Sequence, residues 1–113
     1  MNTENIEFPD FMKVQMCAGT VTHAEVNSKA NKPSYILTID FGSLGMKTSS
    51  AQITEHYSLE DLVGEQVIAV MNFEAKRIAG VKSEVLVLAT MSDEDGTVLL
   101  RPTKKVANGT PVS

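Results

Sequence analysis

Apolar and polar residues alternate over several short stretches of the chain, the pattern of β-strands with one buried face. The clearest example is the run Tyr35, Leu37, Ile39 and Phe41, whose neighbours are less apolar. The pattern predicts strands at residues 13–26, 35–41, 46–53, 66–72, 84–91 and 97–101. Gly19 interrupts the first of these, and a glycine inside a strand often marks a bulge or a sharp bend.

Turn-forming residues and one short helix separate the predicted strands. Residues 27–34 are polar and contain Pro33, and residues 42–45 and 93–96 contain glycine, so we predict a loop and two turns. Ser58 is a suitable N-cap for a helix that ends before Gly64. Residues 73–83 are polar and cationic and are predicted to form a loop.

The order of the predicted elements is three strands, a short helix, two strands and an extension. This order predicts an all-β OB-fold, a five-stranded Greek-key barrel with its helix between strands three and four. Another small barrel or a sandwich would also fit short strands separated by turns. We treat residues 1–113 as one domain, with a polar lead-in at residues 1–10 and a C-terminal extension at residues 92–113.

Two predicted strands are apolar on both faces, at residues 67–71 and 85–89. A strand with one face in water should alternate, so both faces of these strands need cover. We expect part of the cover to come from the C-terminal extension and part from a second subunit, because two-fold homodimers are the commonest soluble oligomers.

Composition indicates a cytoplasmic protein. Apolar residues make up 42% of the 113, and no apolar run approaches the ~18 residues that a membrane helix needs. Glu4 and Glu7 stand where a signal peptide would have a basic flank and an apolar stretch. Cys17 is the only cysteine, so an internal disulfide is excluded and a reducing compartment is favoured.

Cations cluster in one segment of an otherwise acidic chain. The net charge is −4, which excludes a strongly basic protein. Residues 71–83 nevertheless contain Lys76, Arg77 and Lys82 and only one acid, Glu74, a local balance of +2. Lys and Arg neutralise phosphates, so this segment is a candidate nucleic-acid site. The alternative is a solvated loop with ordinary surface cations.

Polar residues around this segment extend the candidate site. Asn72 and Ser83 can hydrogen-bond sugars, phosphates or base edges, while Phe73 is the only aromatic residue nearby. A shortage of stacking groups favours recognition of RNA shape and backbone over base sequence. Glu84 would repel phosphate and is given a supporting role. An unusually polar predicted strand with Ser49, Ser50 and Gln52 is expected to form a second wall of the candidate site. The alternative interpretation of this strand is a solvent-facing edge strand.

The sequence offers no case for an enzyme. His23 and His56 lie far apart and have no spacing typical of metal ligands, and Cys17 has no adjacent His or Lys to activate a thiolate. No phosphate-binding glycine loop or nucleophile motif stands out. We therefore expect no catalytic residues, no metal and no cofactor.

Four stretches together resemble the CsaA family, small bacterial and archaeal proteins described as export-related chaperones. The same stretches look, more distantly, like the tRNA-binding domains appended to some methionyl- and phenylalanyl-tRNA synthetases. The stretches are residues 39–42, 49–53, 67–73 and 77–89, of which residues 77–84, Arg-Ile-Ala-Gly-Val-Lys-Ser-Glu, are the most specific. The resemblance extends from about residue 11 to about residue 108.

The resemblance implies an OB-fold homodimer with a dimerising C-terminal extension. It also implies two activities, binding of tRNA and chaperone-like binding of unfolded or export-bound polypeptides. The ligand-binding positions that it implies are Ser49, Ser50, Gln52, Asn72, Lys76, Arg77, Ser83 and Glu84, to which the local charge adds Lys82. One alternative is a peptide-binding chaperone or docking module without physiological RNA binding. Family members often read Asp-Ile-Arg-x-Gly where residues 15–19 here read Gln-Met-Cys-Ala-Gly, so the first strand lacks that acid and arginine.

Overall fold

Five antiparallel strands curl into a nearly closed barrel, so the prediction of an all-β OB-fold is confirmed. The computed structural model describes residues 4–113. The barrel strands, in the order β3-β2-β1-β4-β7, are β1 (Met16–Val26), β2 (Tyr35–Asp40), β3 (Met46–Ala51), β4 (Gln66–Val70) and β7 (Leu86–Val87).

Short helices and two hairpins complete the fold. The helices are α1 (Phe8–Met12), a 3₁₀ turn (Gly42–Leu44) and α2 (Leu59–Leu62). The hairpins are β5 (Lys76–Ile78) with β6 (Val81–Ser83), and β8 (Ala89–Ser92) with β9 (Gly96–Leu99). Helix α2 lies between β3 and β4 and is capped as predicted, since the Ser58 Oγ accepts a hydrogen bond from the Asp61 N–H. No helix among the described residues is long and apolar enough to span a bilayer.

The polar lead-in at residues 1–10 runs into helix α1, at whose start the Glu7 N–H donates to the Asp10 carboxylate at 3.1 Å; residues 1–3 lie outside the described residues. Two sequence predictions need correction. The predicted loop at residues 73–83 contains the hairpin β5–β6. The predicted strand at residues 84–91 divides at Leu88, whose N–H donates to Ile68 of β4 while its carbonyl accepts from Leu100. The chain changes strand partner at this residue.

Strand β1 bends so that it can pair with two neighbours. Its first half, Met16–Thr20, pairs with β4, and its second half, from Thr20 onward, pairs with β2. The register shifts between Val21 and His23, so the irregularity predicted near Gly19 lies a few residues later. Gly19 has a different role. A Cβ at this position would lie 2.6 Å from the Phe41 ring, so only glycine allows the strand to cross the core this closely.

The C-terminal segment packs along the free edge of the first half of β1. The Gly109 N–H donates to the Ala18 carbonyl, and the Ala18 N–H donates to the Thr110 carbonyl. The buried Gln66 side chain anchors the same segment, because its amide donates to the Val106 carbonyl and accepts from the Val106 N–H. These hydrogen bonds fix the segment beside β1 and the start of β4.

Replacement of Gly19 by alanine should destabilise the barrel, because the added methyl group meets the buried Phe41 ring. Overpacking of this kind costs about 1–3 kcal/mol. Urea denaturation followed by circular dichroism measures the change. The matched control is Thr22→Ser at an exposed position of the same strand, which keeps the hydroxyl that donates to the Thr38 carbonyl and should change the free energy of unfolding by less than about 0.5 kcal/mol. Equal stability of Gly19→Ala and the unmodified protein would contradict the packing argument.

Candidate functional site

The hairpin β5–β6 carries the three cations that the sequence singles out. Its strands pair through Lys76 with Ser83, Arg77 with Lys82 and Ile78 with Val81. Ala79 and Gly80 form the two-residue turn, with φ values of 48° and 83°. Positive φ at both central positions is the geometry of a type I′ turn, which suits the twist of a tight hairpin. The turn is thus formed despite the strain that a left-handed alanine carries.

Arg77 and Lys82 share one face of the hairpin, here called the cationic face, because directly paired residues project to the same side. Like charges in direct opposition destabilise a strand pair. Among residues 4–113 no carboxylate lies within 4.0 Å of either side chain to offset this repulsion. The Arg77 guanidinium donates one hydrogen bond to the Gly80 carbonyl at 3.2 Å and keeps its other donors for a ligand. The arrangement favours an anionic partner.

Two lysines from other parts of the chain lie beside the hairpin, and sequence reasoning did not identify them. Lys29, in the loop between β1 and β2, lies against the turn: a Cβ at Gly80 would be 3.2 Å from its Cδ. Lys47 of β3 places its Nζ 3.9 Å from the Glu84 Oε2. Both are more than 30 residues from the segment they approach, so no local pattern could reveal them.

The opposite face of the hairpin borders an apolar groove of about 350 Å³. Lys76, Ile78 and Ser83 project to this side. The remaining residues of the groove wall are Phe73, Glu74, Glu84, Val85 and Leu86. The exposed fractions of Phe73, Ile78 and Leu86 are 58%, 44% and 49%, so their apolar surfaces are available to a ligand. The hairpin thus separates a charged surface from an apolar one.

Ser83 and Glu84 line the apolar groove and also join the hairpin to β3. The Glu84 Oε1 accepts a hydrogen bond from the Thr48 N–H at 3.2 Å, and the Glu84 N–H donates to the Thr48 carbonyl at 2.8 Å. The Ser83 Oγ accepts from the Ser50 N–H at 3.1 Å. The Thr48 hydroxyl donates its one hydrogen between the Lys82 carbonyl, at 2.7 Å, and the Glu84 carboxylate, at 3.1 Å. We call these five residues the seam.

The structure separates the three polar residues predicted to form a second wall. Ser49 is 1% exposed and faces the barrel interior. Ser50, its neighbour on β3, belongs to the seam and is half-buried. Gln52 is exposed just beyond the end of β3. Alternation along the strand therefore places Ser49 on the opposite side from its neighbours.

Asn72 ties the start of the hairpin segment to the residues before β1. Its Oδ1 accepts from the Gln15 N–H at 3.0 Å, and its Nδ2 donates to the Lys13 carbonyl at 2.7 Å. Both ends of the side chain are therefore engaged within the protein, which gives Asn72 a structural role at the edge of the site.

Cys17 and His56 lie outside the hairpin and its groove. Cys17 is buried, and burial raises the pKa of its thiol, so little thiolate forms near neutral pH. His56 hydrogen-bonds the Asp95 carbonyl. Within residues 4–113 no three His, Cys, Asp or Glu side chains cluster in a way that could hold a metal ion.

Comparison with known proteins gives the same relationship as the sequence motifs. Residues 16–111 match a family model described as "Putative tRNA binding domain". The crystal structure of the chaperone CsaA from Bacillus anthracis superposes with a TM-score of 0.92 at 51% identity, covering 97% of this chain and 100% of that one. The CsaA chaperone protein from Picrophilus torridus gives a TM-score of 0.90 at 39% identity, covering 96% and 100%.

A methionine–tRNA ligase from Porphyromonas gingivalis is 37% identical over 110 residues, which cover 96% of this chain. The chain spans only 16% of the length of that ligase, so the similarity concerns its binding domain and not the whole enzyme. CsaA, in contrast, is matched over its full length. The chain therefore belongs to the tRNA-binding domain family and, within it, to the CsaA group.

Proposed function

We propose that this protein is a non-enzymatic binding protein that holds tRNA against the cationic face of the hairpin β5–β6. The observation that carries the proposal is the direct pairing of Arg77 with Lys82, two cations without a carboxylate partner within 4.0 Å among the described residues. A phosphate between them would relieve their repulsion. Lys29, whose side chain lies against the turn at Gly80, adds a further cation beside the same hairpin.

The proposed contacts are mainly with the RNA backbone. Base-specific recognition of looped RNA relies on aromatic stacking, and Phe73, the aromatic residue nearest the hairpin in sequence, lines the apolar groove on the other face. Arg and Lys neutralise phosphates without reading bases. We therefore propose recognition of tRNA by shape and charge, by a single binding domain that acts in the cytoplasm.

Replacing Arg77 or Lys82 by alanine should weaken tRNA binding and reduce its salt dependence. Each phosphate contact that is lost lowers the slope of log K against log salt concentration by about one. Filter binding of total tRNA across a salt series measures both quantities. Arg77→Lys, which keeps the charge, should retain the slope.

The matched control for these variants is Lys104→Ala, an exposed lysine of the C-terminal segment. It should leave the slope unchanged. Binding without a salt slope in the unmodified protein, or an equal effect of Lys104→Ala and Arg77→Ala, would disprove the proposed site.

A second activity, binding of unfolded or export-bound polypeptides, is favoured by the apolar groove. Phe73, Ile78 and Leu86 leave large apolar surfaces exposed beside Lys76 and Glu74. An extended segment with apolar side chains would bury these surfaces, at about 25 cal/mol for each Å² removed from water. Because the groove and the cationic face lie on opposite sides of one hairpin, we propose that polypeptide and tRNA use different surfaces.

Polypeptide holding should depend on the groove and not on the cationic face. Ile78→Ser and Leu86→Ser should each weaken client binding by about tenfold, since each removes most of an apolar side chain. The measurement is suppression of aggregation of a heat-labile client, with Leu44→Ser as the control at an equally exposed leucine of the 3₁₀ turn. If both groove variants hold the client as well as the unmodified protein, the groove is not the polypeptide site.

We further propose that the protein is a homodimer whose C-terminal extension contributes to the interface. Leu100, Val106 and Val112 are each more than a third exposed and surround an apolar depression floored by Ile68. A second copy placed over this surface would complete the cover of β4. The resemblance to CsaA implies the same assembly.

Leu100→Asp should convert the dimer to a monomer, because two carboxylates would be buried in an apolar two-fold interface. Light scattering coupled to size exclusion gives the mass directly. Leu44→Asp adds the same charge outside this surface and should leave the mass unchanged. A monomeric mass for the unmodified protein would refute the proposal.

A further inference from the structure

In the seam, side-chain oxygens accept the hydrogen bonds that backbone carbonyls accept in an ordinary sheet. The N–H groups of Thr48 and Ser50 lie on the edge of β3 that faces away from β2. Their acceptors are the Glu84 carboxylate and the Ser83 hydroxyl, where a neighbouring strand would present carbonyls. The Thr48 hydroxyl returns a hydrogen bond to the Lys82 carbonyl at 2.7 Å, within the hairpin itself.

We infer that Thr48 and Glu84 are positioning residues, which fix the cationic face in its binding orientation and do not themselves contact the RNA. The inference rests on the proposed tRNA-binding function. It gives a structural basis to the supporting role of Glu84, which the resemblance groups with ligand-binding positions, and it assigns a role to Thr48, which sequence reasoning did not identify. The seam holds the hairpin on the barrel, and the hairpin presents Arg77 and Lys82.

The hairpin needs this attachment because it buries little of its own surface. Lys76, Arg77 and Ile78 are all exposed, and Lys82 on the second strand is exposed as well. Apolar packing within the hairpin is confined mainly to the half-buried Val81, so its orientation depends on the hydrogen bonds of the seam, among them those of Thr48 and Glu84. When only a fraction of molecules is correctly oriented, the apparent dissociation constant rises in inverse proportion to that fraction.

The charge of Glu84 separates the positioning role from a purely electrostatic role, because the two predict opposite changes in tRNA affinity when the carboxylate is removed. A carboxylate beside a phosphate-binding surface repels the ligand, so charge alone predicts that its removal strengthens tRNA binding. Positioning predicts the reverse, because loss of the carboxylate releases the Thr48 N–H and loosens the hairpin. Glu74 provides the comparison: it is an exposed acid next to the same hairpin but has no place in the seam.

The test compares tRNA affinity and salt slope for Glu84→Ala, Glu84→Gln, Thr48→Val and Thr48→Ser. Glu84→Ala and Thr48→Val should weaken binding by roughly 3- to 10-fold, the effect of one or two hydrogen bonds. Their salt slopes should stay unchanged, because no phosphate contact is removed. Glu84→Gln and Thr48→Ser keep the oxygen atoms of the seam and should bind as well as the unmodified protein. Glu74→Ala should bind equally well or more tightly.

Hydrogen exchange of the RNA-free protein tests the positioning role directly. In Thr48→Val and Glu84→Ala the amides of Ser50, Glu84 and β5–β6 should exchange faster, while those of β1 and β4 keep their protection. This measurement does not use RNA. The proposed function fails if the unmodified protein shows no salt-dependent tRNA binding, whereas the positioning role fails if the hairpin amides keep their protection in the variants. If Glu84→Ala does not fold, Thr48→Val and Thr48→Ser decide the question.

Three results would overturn the inference. One is tighter tRNA binding by Glu84→Ala, as charge alone predicts. Another is unchanged exchange of the hairpin amides in Thr48→Val. The third is a loss of affinity in Glu84→Gln as large as that in Glu84→Ala, because it would show that the ion pair of Glu84 with Lys47, and not the hydrogen bond from Thr48, holds the hairpin.

Discussion

Strand β1 is the constraint on which the rest of the structure depends, because three separate parts of the chain pair with it. β4 takes one edge of its first half, the C-terminal segment takes the other edge, and β2 pairs with its second half. One strand can serve all three only if it bends across the core. The absence of a side chain at Gly19, against the Phe41 ring, permits that crossing.

The barrel in turn sets the position of a hairpin that could not be stable alone. A two-stranded hairpin in water is marginal without packing or a partner, and this one has a strained turn at Ala79 and two opposed cations, Arg77 and Lys82. Local unfavourable choices of this kind are characteristic of functional sites, where binding and not folding selects the residues. The same hairpin gives the molecule two chemically different surfaces, a cationic one on one side and a largely apolar one on the other.

Features with a local sequence signal could be predicted, and features made by distant residues could not. The alternation from Tyr35 to Phe41 predicts strand β2, and the N-cap at Ser58 predicts helix α2, each to within a few residues. The cations of residues 76–82 are close together in the chain and were therefore recognised as a cluster. The sequence did not predict hairpin β5–β6, because neither strand has a fully buried face to produce a clear alternation of apolar and polar residues. In addition, Ala79 occupies the turn position at which asparagine is the usual sequence signal. Lys29, Lys47 and Thr48 reach the site only through the folding of β2 and β3 around it.

The seam has a further consequence for the behaviour of the protein at high concentration. An unpaired strand edge is a template on which other chains can add strands, and β3 is an edge strand of the barrel sheet. Glu84 and Ser83 occupy the outward N–H groups of Thr48 and Ser50 with side-chain oxygens, which cannot propagate a sheet as a backbone would. This part of the β3 edge is therefore closed to strand addition, even though an exposed apolar groove lies beside it.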